Sequence, residues 1–191
     1  MTDDDTCLLY DMPRRYGLVS RTLHWIMAYL LMWQFIVVIG WIVLGDGAFM
    51  RTVSLFGPAH ATVGTLVCGL VLPRSLWAFL NRHRRPPADA PPLGWLVRGV
   101  HGAFYALMLI VPALALVRAY GAGKGYDLWG LQLIPATGHK VAALIAPADL
   151  FHAPLAWTLA VLISGHVVMA WYHGIIRGDG TLARMAGPLR T

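Results

Sequence analysis

Glutamate is absent from this 191-residue chain, and charged residues of any kind make up only 13% of it. Soluble domains carry about a quarter, so a surface laced with ion pairs and facing water on all sides is excluded. Cysteine is almost as scarce. Cys7 and Cys68 are too few for a disulfide scaffold and form neither a CxxC nor a CxxCH spacing. What fills the chain instead is apolar, with 58% hydrophobic residues and a mean hydropathy of +0.60. Lys and Arg total 15 against 9 acidic residues, a formal net charge of +6. A nucleic-acid partner would require those cations to gather on one face of a folded module. They sit instead at the ends of hydrophobic stretches, so no nucleic acid is expected and a membrane is.

Four apolar runs, about residues 22–44, 58–80, 95–118 and 151–176, are each long enough to cross a hydrocarbon layer roughly 30 Å thick at about 1.5 Å per residue. The expectation is an all-α transmembrane four-helix bundle forming a single domain, with no internal repeat. The first 20 residues are acidic and then basic, without an apolar core or a small-residue cleavage site, so the first span is expected to insert and stay. Arg14, Arg15 and Arg21 precede span 1, Arg82, Arg84, Arg85 and Arg98 lie between spans 2 and 3, and Arg177, Arg184 and Arg190 follow span 4. The first and third connections hold only Arg51, Lys124 and Lys140, with Arg118 at the edge, so both termini are expected in the cytoplasm.

Punctuation agrees with those limits. Pro58 suits the first position of span 2, Asp149 suits an N-cap for span 4 with Pro154 in its first turns, and Pro112 should kink span 3. His83 with Pro86, Pro87, Pro91 and Pro92 makes the second connection a stiff basic loop. The third connection, about residues 119–150, is the longest. Its glycines predict a turn, and Thr137 to Ala146 a short helix on the outer surface.

The histidines carry the most information. His24, His60, His101, His152, His166 and His173 fall in or at the edges of spans, where an ionisable side chain is expensive and by default functional. The plainer alternative for each is a hydrogen bond to a neighbouring helix. As a set they form a pattern. His152 and His166 lie fourteen residues apart, a rise of about 21 Å that leaves them within about 40° of one helix face. With span 4 running inward, His60 lies at the level of His152 and His24 on the side of His166. Two imidazole pairs are what two haems with paired axial histidines need. Without CxxCH, such haems would be held without thioether links. A closed zinc site needs four ligands, and no acid or thiolate is available at either level, Cys68 suiting a small core position. Arg74 follows His60 by the same fourteen residues and lies near the inner level, where no span carboxylate can pair with it. A haem propionate would meet that need; the alternative is snorkelling to the inner headgroups.

These residues also carry a resemblance. Arg15 to Trp25 (RYGLVSRTLHW), His60 with Arg74, His101 to Pro112 (HGAFYALMLIVP), and FHAPLAWTLAVLISGH through WYHGIIRGDGTLARM resemble the bacterial cytochrome b561 family. The likeness covers nearly the whole chain apart from the first dozen residues and the third connection. It implies a multi-pass inner-membrane cytochrome carrying two haem b groups and exchanging electrons with ubiquinone. It places axial ligands at His24 and His166 for the cytoplasmic-side haem, and at His60 and His152 for the periplasmic-side haem.

From this follows a functional expectation. With both axial positions filled, iron favours one-electron transfer over oxygen or peroxide chemistry. The second ring nitrogens need acceptors such as a helix carbonyl or a hydroxyl, and Thr22, Thr62 and Ser164 are candidates by proximity in sequence. His101 and His173 are free of the ligand set and are candidates for a quinone site. Arg51, Arg118, Lys124, His139 and Lys140 outnumber Asp46, Asp127 and Asp149 on the outer side. They would attract a small anionic reductant such as superoxide, or else act as interfacial anchors. Family resemblance makes superoxide oxidation coupled to ubiquinone reduction a candidate activity. The alternative is a haem-carrying membrane anchor of a larger respiratory dehydrogenase, hydrogenase or oxidase complex, with the third connection as its docking surface. A His-lined metal transporter would need an inverted repeat, which is not visible. Apart from membrane lipid and the quinone pool, no partner or oligomeric state is specified by the sequence.

Overall fold

The computed structural model describes residues 8–86 and 92–187; Cys7, Pro87, Pro91 and Arg190 lie outside the described residues. In chain order the elements are α1 (Leu18–Leu44), α2 (Ala48–Leu55), α3 (His60–Leu80), α4 (Leu93–Gly121), β1 (Tyr126–Leu128), β2 (Leu131–Ile134) and α5 (Ala142–Trp171). A π-helical turn, Tyr172–Arg177, and α6, Thr181–Ala186, complete them. The segments Leu18–Leu44, Ala48–Leu80, Leu93–Gly121 and Ala142–Arg177 are long and apolar enough to cross a membrane. This is the expected all-α transmembrane architecture. Bulky apolar side chains such as Ile36, Ile39, Ile42, Leu76, Val161 and Val168 are exposed along the spans, as befits helices whose outer faces are solvated by lipid.

The chain divides into two compact units. The first, residues 1–29, 70–105 and 161–191, holds both ends of the chain and the second connection and is called here the terminal unit; the second, residues 30–69 and 106–160, holds the β hairpin and is called the hairpin unit.

In the terminal unit the segment before α1 is fastened by polar contacts. Asp11 is buried, accepts the Gly17 N–H at 2.9 Å and pairs with Arg85 Nε at 3.1 Å. A Cβ on Gly17 would fall 2.4 Å from the backbone of Leu9 and Tyr10, so only glycine lets the chain close over that carboxylate. Tyr10 stacks on Trp77 at 5.4 Å, and Trp77 Nε1 donates to the buried Ser20 hydroxyl at 3.1 Å. At the other end of the chain, Tyr16 N–H donates to Arg184 O at 3.1 Å, and an Arg21 Nη2–H donates to Gly187 O.

In the hairpin unit close approach at glycines accompanies the hydrogen bonds. Gly40 leaves room for the buried Met50 of α2, Gly57 for Trp33, and Gly121 for Leu144. Trp33 Nε1 donates to Pro58 O at 2.9 Å. The hairpin pairs Leu128 with Leu131 across Trp129 and Gly130, which both have positive φ (51° and 86°), the geometry of the tight turns that match strand twist. Tyr126 OH meets Thr65 Oγ1 at 3.2 Å and pins the hairpin to α3.

Two expectations are corrected. Asp149 is not an N-cap: α5 begins at Ala142, and Asp149 lies inside it, its carboxylate 2.6 Å from Arg118 Nε. No separate outer helix spans 137–146; residues 142–146 are the first turns of α5, and Pro147 lies inside that helix. The first connection also contains α2, which buries Met50.

The terminal unit also carries a carboxylate whose titration can be read. Asp179 Oδ2 lies 2.6 Å from His173 Nδ1, and Asp179 Oδ1 accepts the Thr181 N–H at 3.0 Å at the start of α6. Those hydrogen bonds, from His173 first and Thr181 next, hold the Asp179 carboxyl well below the usual carboxylate range. With its folded value depressed, its contribution is full above the unfolded value of about 4 and is lost as pH falls towards the folded one. Amide exchange of residues 181–186 should therefore be slower in the native chain than in Asp179→Asn at pH 7, with the difference shrinking only below about pH 4. An equal exchange rate at pH 7 would show that the carboxylate does not hold this helix.

Candidate functional site

The terminal unit brings together side chains from all four spans. The His24 and His166 rings are 6.2 Å apart between centroids with planes at 64°. His101 lies 5.9 Å from His166 with planes at 89°, and Phe104 closes the same ring at 5.6 Å. His101 Nδ1 is 2.7 Å from Val97 O, so that nitrogen carries the proton and donates, leaving Nε2 as the ring's remaining function. Arg74 lies beside His24. Its Nη2 is 3.3 Å from His24 Nδ1, and its cation lies 5.7 Å from the Tyr105 ring. Its Nε and Nη1 are buried with no hydrogen-bond partner, a costly state for a guanidinium.

The hairpin unit holds a second pair. His60 and His152 are 6.1 Å apart with planes at 67°. His152 Nδ1 lies 3.1 Å from Val111 O, so it donates there and presents Nε2 as the free ligand nitrogen. Gln34 Nε2 donates to His60 O at 3.2 Å and stands 3.4 Å from His60 Nε2, while its Oε1 is buried without a partner. Beside His60 an apolar cavity of about 410 Å³ is lined by Val37, Trp41, Ile42, Ser54 and Pro58 among others.

Both pairs suit an iron porphyrin. Two imidazoles on one metal, each with a metal–nitrogen bond of about 2 Å, have ring centres roughly 6 Å apart, the spacing seen in both units. Among the described residues no group of three or more His, Cys, Asp or Glu side chains is arranged to hold a bare metal ion, so neither pair is part of a tetrahedral zinc set. Gly102 and Gly165, next to His101 and His166 in sequence, have nothing within 4 Å of where a Cβ would stand. Arg74 supplies the most specific fit. A guanidinium only donates, so His24 Nδ1 acts as acceptor in its present contact, whereas a ring ligating through Nε2 needs its proton on Nδ1. Binding metal there requires Arg74 to turn its donors to another acceptor, and a carboxylate such as a propionate provides one.

Several features were invisible in the sequence. Which carbonyl each ring meets is set by the fold, Val97 O for His101 and Val111 O for His152. Gln34 was passed over because a lone amide in a span has no ligand signature. The contact of His101 with His166 depends on helix rotation and has no sequence marker. His173 is engaged by Asp179 on the π-helical turn that follows α5.

A family model described as prokaryotic cytochrome b561 matches residues 15–188. Over 179 residues, 92% of this chain and 93% of the relative, it is 31% identical to cytochrome b561 homolog 2 of Escherichia coli K12. It is 25% identical to cytochrome b561 homolog 1 of the same organism over 151 residues, 76% of this chain and 81% of that one. With its four apolar spans, the chain belongs to the prokaryotic cytochrome b561 family, whose members bind b-type haem, and is a multi-pass bacterial inner-membrane protein.

Proposed function

We propose that this chain is a dihaem cytochrome that moves single electrons between a periplasmic donor and the ubiquinone pool. The observation that carries this reading is the presence of two imidazole pairs, 6.2 Å and 6.1 Å apart, each in its own unit. On this reading His24 with His166 holds one haem, and His60 with His152 the other. When bound, each haem would supply a one-electron iron couple. The chain's own residues do the rest. Val111 O fixes the tautomer of His152, and Arg74 holds a propionate. Arg14, Arg15, Arg21, Arg82, Arg84, Arg85, Arg98, Arg177 and Arg184 all fall in the terminal unit, which supports its assignment to the cytoplasmic side together with both termini.

His101 and His173 are the groups proposed to serve the quinone. His101 keeps Nε2 free beside His166. His173 is anchored through Nδ1 by Asp179, which leaves its Nε2 to exchange a proton. For the donor, superoxide is the candidate, giving a superoxide:ubiquinone oxidoreductase. The field that would attract it is smaller than a charge count suggests. Arg51 is paired with Asp46 at 2.8 Å and Arg118 with Asp149 at 2.6 Å, so attraction rests on Lys124 and Lys140 with His139. A second reading, the membrane anchor of a larger respiratory complex, draws support from the hairpin, where Trp129, Leu131 and Leu133 are exposed; such a complex would survive mild detergent and be seen by its mass.

Haem counting tests the assignment. The native chain should give two haems per polypeptide by pyridine haemochrome, and His24→Ala, His60→Ala, His152→Ala and His166→Ala one or fewer. His101→Ala should keep both and slow re-oxidation by quinone. One haem in the native chain, or loss of haem in His101→Ala with retention in His24→Ala, would overturn it. Arg74→Leu removes charged hydrogen bonds and should weaken haem retention by about tenfold to a hundredfold in competition with apomyoglobin; unchanged retention would assign the guanidinium elsewhere. Reduction by superoxide in stopped flow should slow about twofold to threefold in Lys124→Gln/Lys140→Gln and lose its salt dependence. Equal rates and salt slopes would remove those lysines from the path.

A further inference from the structure

The terminal unit contains two guanidinium groups that the haem reading does not use. Arg15 and Arg21 are half-buried, and each has an Nη1 atom shielded from solvent with no hydrogen-bond partner. They flank the start of α1 at Leu18, the point where the chain enters the membrane. The segment carrying them runs beside the C-terminal helix. Tyr16 N–H donates to Arg184 O, an Arg21 Nη2–H donates to Gly187 O, and Arg184 adds a third cation to the seam.

Among the described residues, the two carboxylates of this unit are already committed. Asp11 is held by Gly17 N–H and Arg85, and Asp179 by His173, Thr181 and Arg177. Tyr16, on the same segment as Arg15, is half-buried, and burial pushes its phenol up. Buried N–H donors need an acceptor, and one that carries negative charge also answers the guanidinium cation. At the edge of a membrane span the abundant group of that kind is a lipid phosphate, whose oxygens match the guanidinium fork.

We infer that Arg15 and Arg21, on the seam between the start of α1 and residues 184–187, form a binding site for the phosphate of an anionic phospholipid. The proposal rests on two particular half-buried guanidinium groups and is distinct from the diffuse attraction that exposed cations such as Arg14 exert. It requires neither the haem ligand assignment nor the quinone reading.

The test uses the full-length, haem-loaded chain, washed free of lipid in neutral detergent. Retention of phosphatidylglycerol and phosphatidylcholine is then compared by native mass spectrometry, with inorganic phosphate as a competitor. The native chain should prefer phosphatidylglycerol, and millimolar phosphate should not displace it. Each of Arg15→Gln and Arg21→Gln should reduce the preference about fivefold, while Arg14→Gln should leave it intact and all variants should keep their haem content. Equal retention of the two lipids by the native chain overturns the site, as does an undiminished preference in both variants. An equal loss in Arg14→Gln would mean diffuse charge only. Displacement by phosphate would mean a free-anion site, and loss of haem in Arg21→Gln would assign that guanidinium to a propionate; each overturns the lipid assignment. Should a variant fail to fold, the native chain's lipid preference and phosphate competition still decide.

Discussion

In hydrocarbon, each ring nitrogen of a histidine and each N–H of an arginine has to meet a partner supplied by the chain or by what the chain binds, because no water is present to serve. That constraint organises this protein. Where a backbone carbonyl is in reach the demand is met internally, as at Val111 O for His152 and Val97 O for His101. What remains is complementary. Nitrogen lone pairs from facing imidazoles are left wanting an electron-pair acceptor, and Arg74 is left with Nε and Nη1 donors wanting an anion. A metalloporphyrin with propionates answers both demands in one molecule, which is why the family's b-type haem fits this chain better than a bare ion does.

The two units meet the cost of order differently. The terminal unit is rich in buried polar contacts, with Asp11 as their centre. A buried carboxylate that loses its partners costs several kcal/mol, so that network selects one arrangement of the N-terminal segment, α3 and the second connection around Arg74 and His24. The ion pairs of the hairpin unit, Arg51–Asp46 and Arg118–Asp149, are more than half exposed on both sides and add at most about 1 kcal/mol each. There the order comes from close packing, with glycines at 40, 57 and 121 admitting Met50, Trp33 and Leu144.

Much of the architecture was legible because membrane spans announce themselves by length and hydropathy, and because a spacing of fourteen residues returns nearly to the same helix face. The pairing of His24 with His166 and of His60 with His152 came from that periodicity together with the direction of each span. The failures share a cause. Asp149 resembles an N-cap in sequence, but its partner Arg118 is 31 residues away and only the fold reveals it. The tryptophans could not be sorted by spacing; in the fold Trp33 and Trp77 donate hydrogen bonds to Pro58 O and Ser20 Oγ, while Trp95, Trp157 and Trp171 are exposed. The hairpin, α2 and the π-helical turn are short elements fixed by tertiary contacts, and local propensity decides little over so few residues.

His101 shows how proximity and chemical role can separate. Its ring is slightly nearer to His166 than the His24 ring is, 5.9 Å against 6.2 Å, so distance alone would not choose between them as the second ligand. Exposure and surroundings do. His101 is exposed, whereas His24 is half-buried and lies beside the unpartnered donors of Arg74, so a haem held by His24 also relieves the guanidinium and one held by His101 does not. With its Nδ1 committed to Val97 O, His101 retains a single nitrogen through which to act. An exposed imidazole against a proposed axial ligand is well placed to hydrogen-bond a quinone that arrives laterally from lipid, and the same contact keeps that quinone's ring close to the metal centre's own ligand. On the proposed ligand assignment, the histidine excluded from the iron is therefore the one best suited to pass charge and proton between haem and quinone.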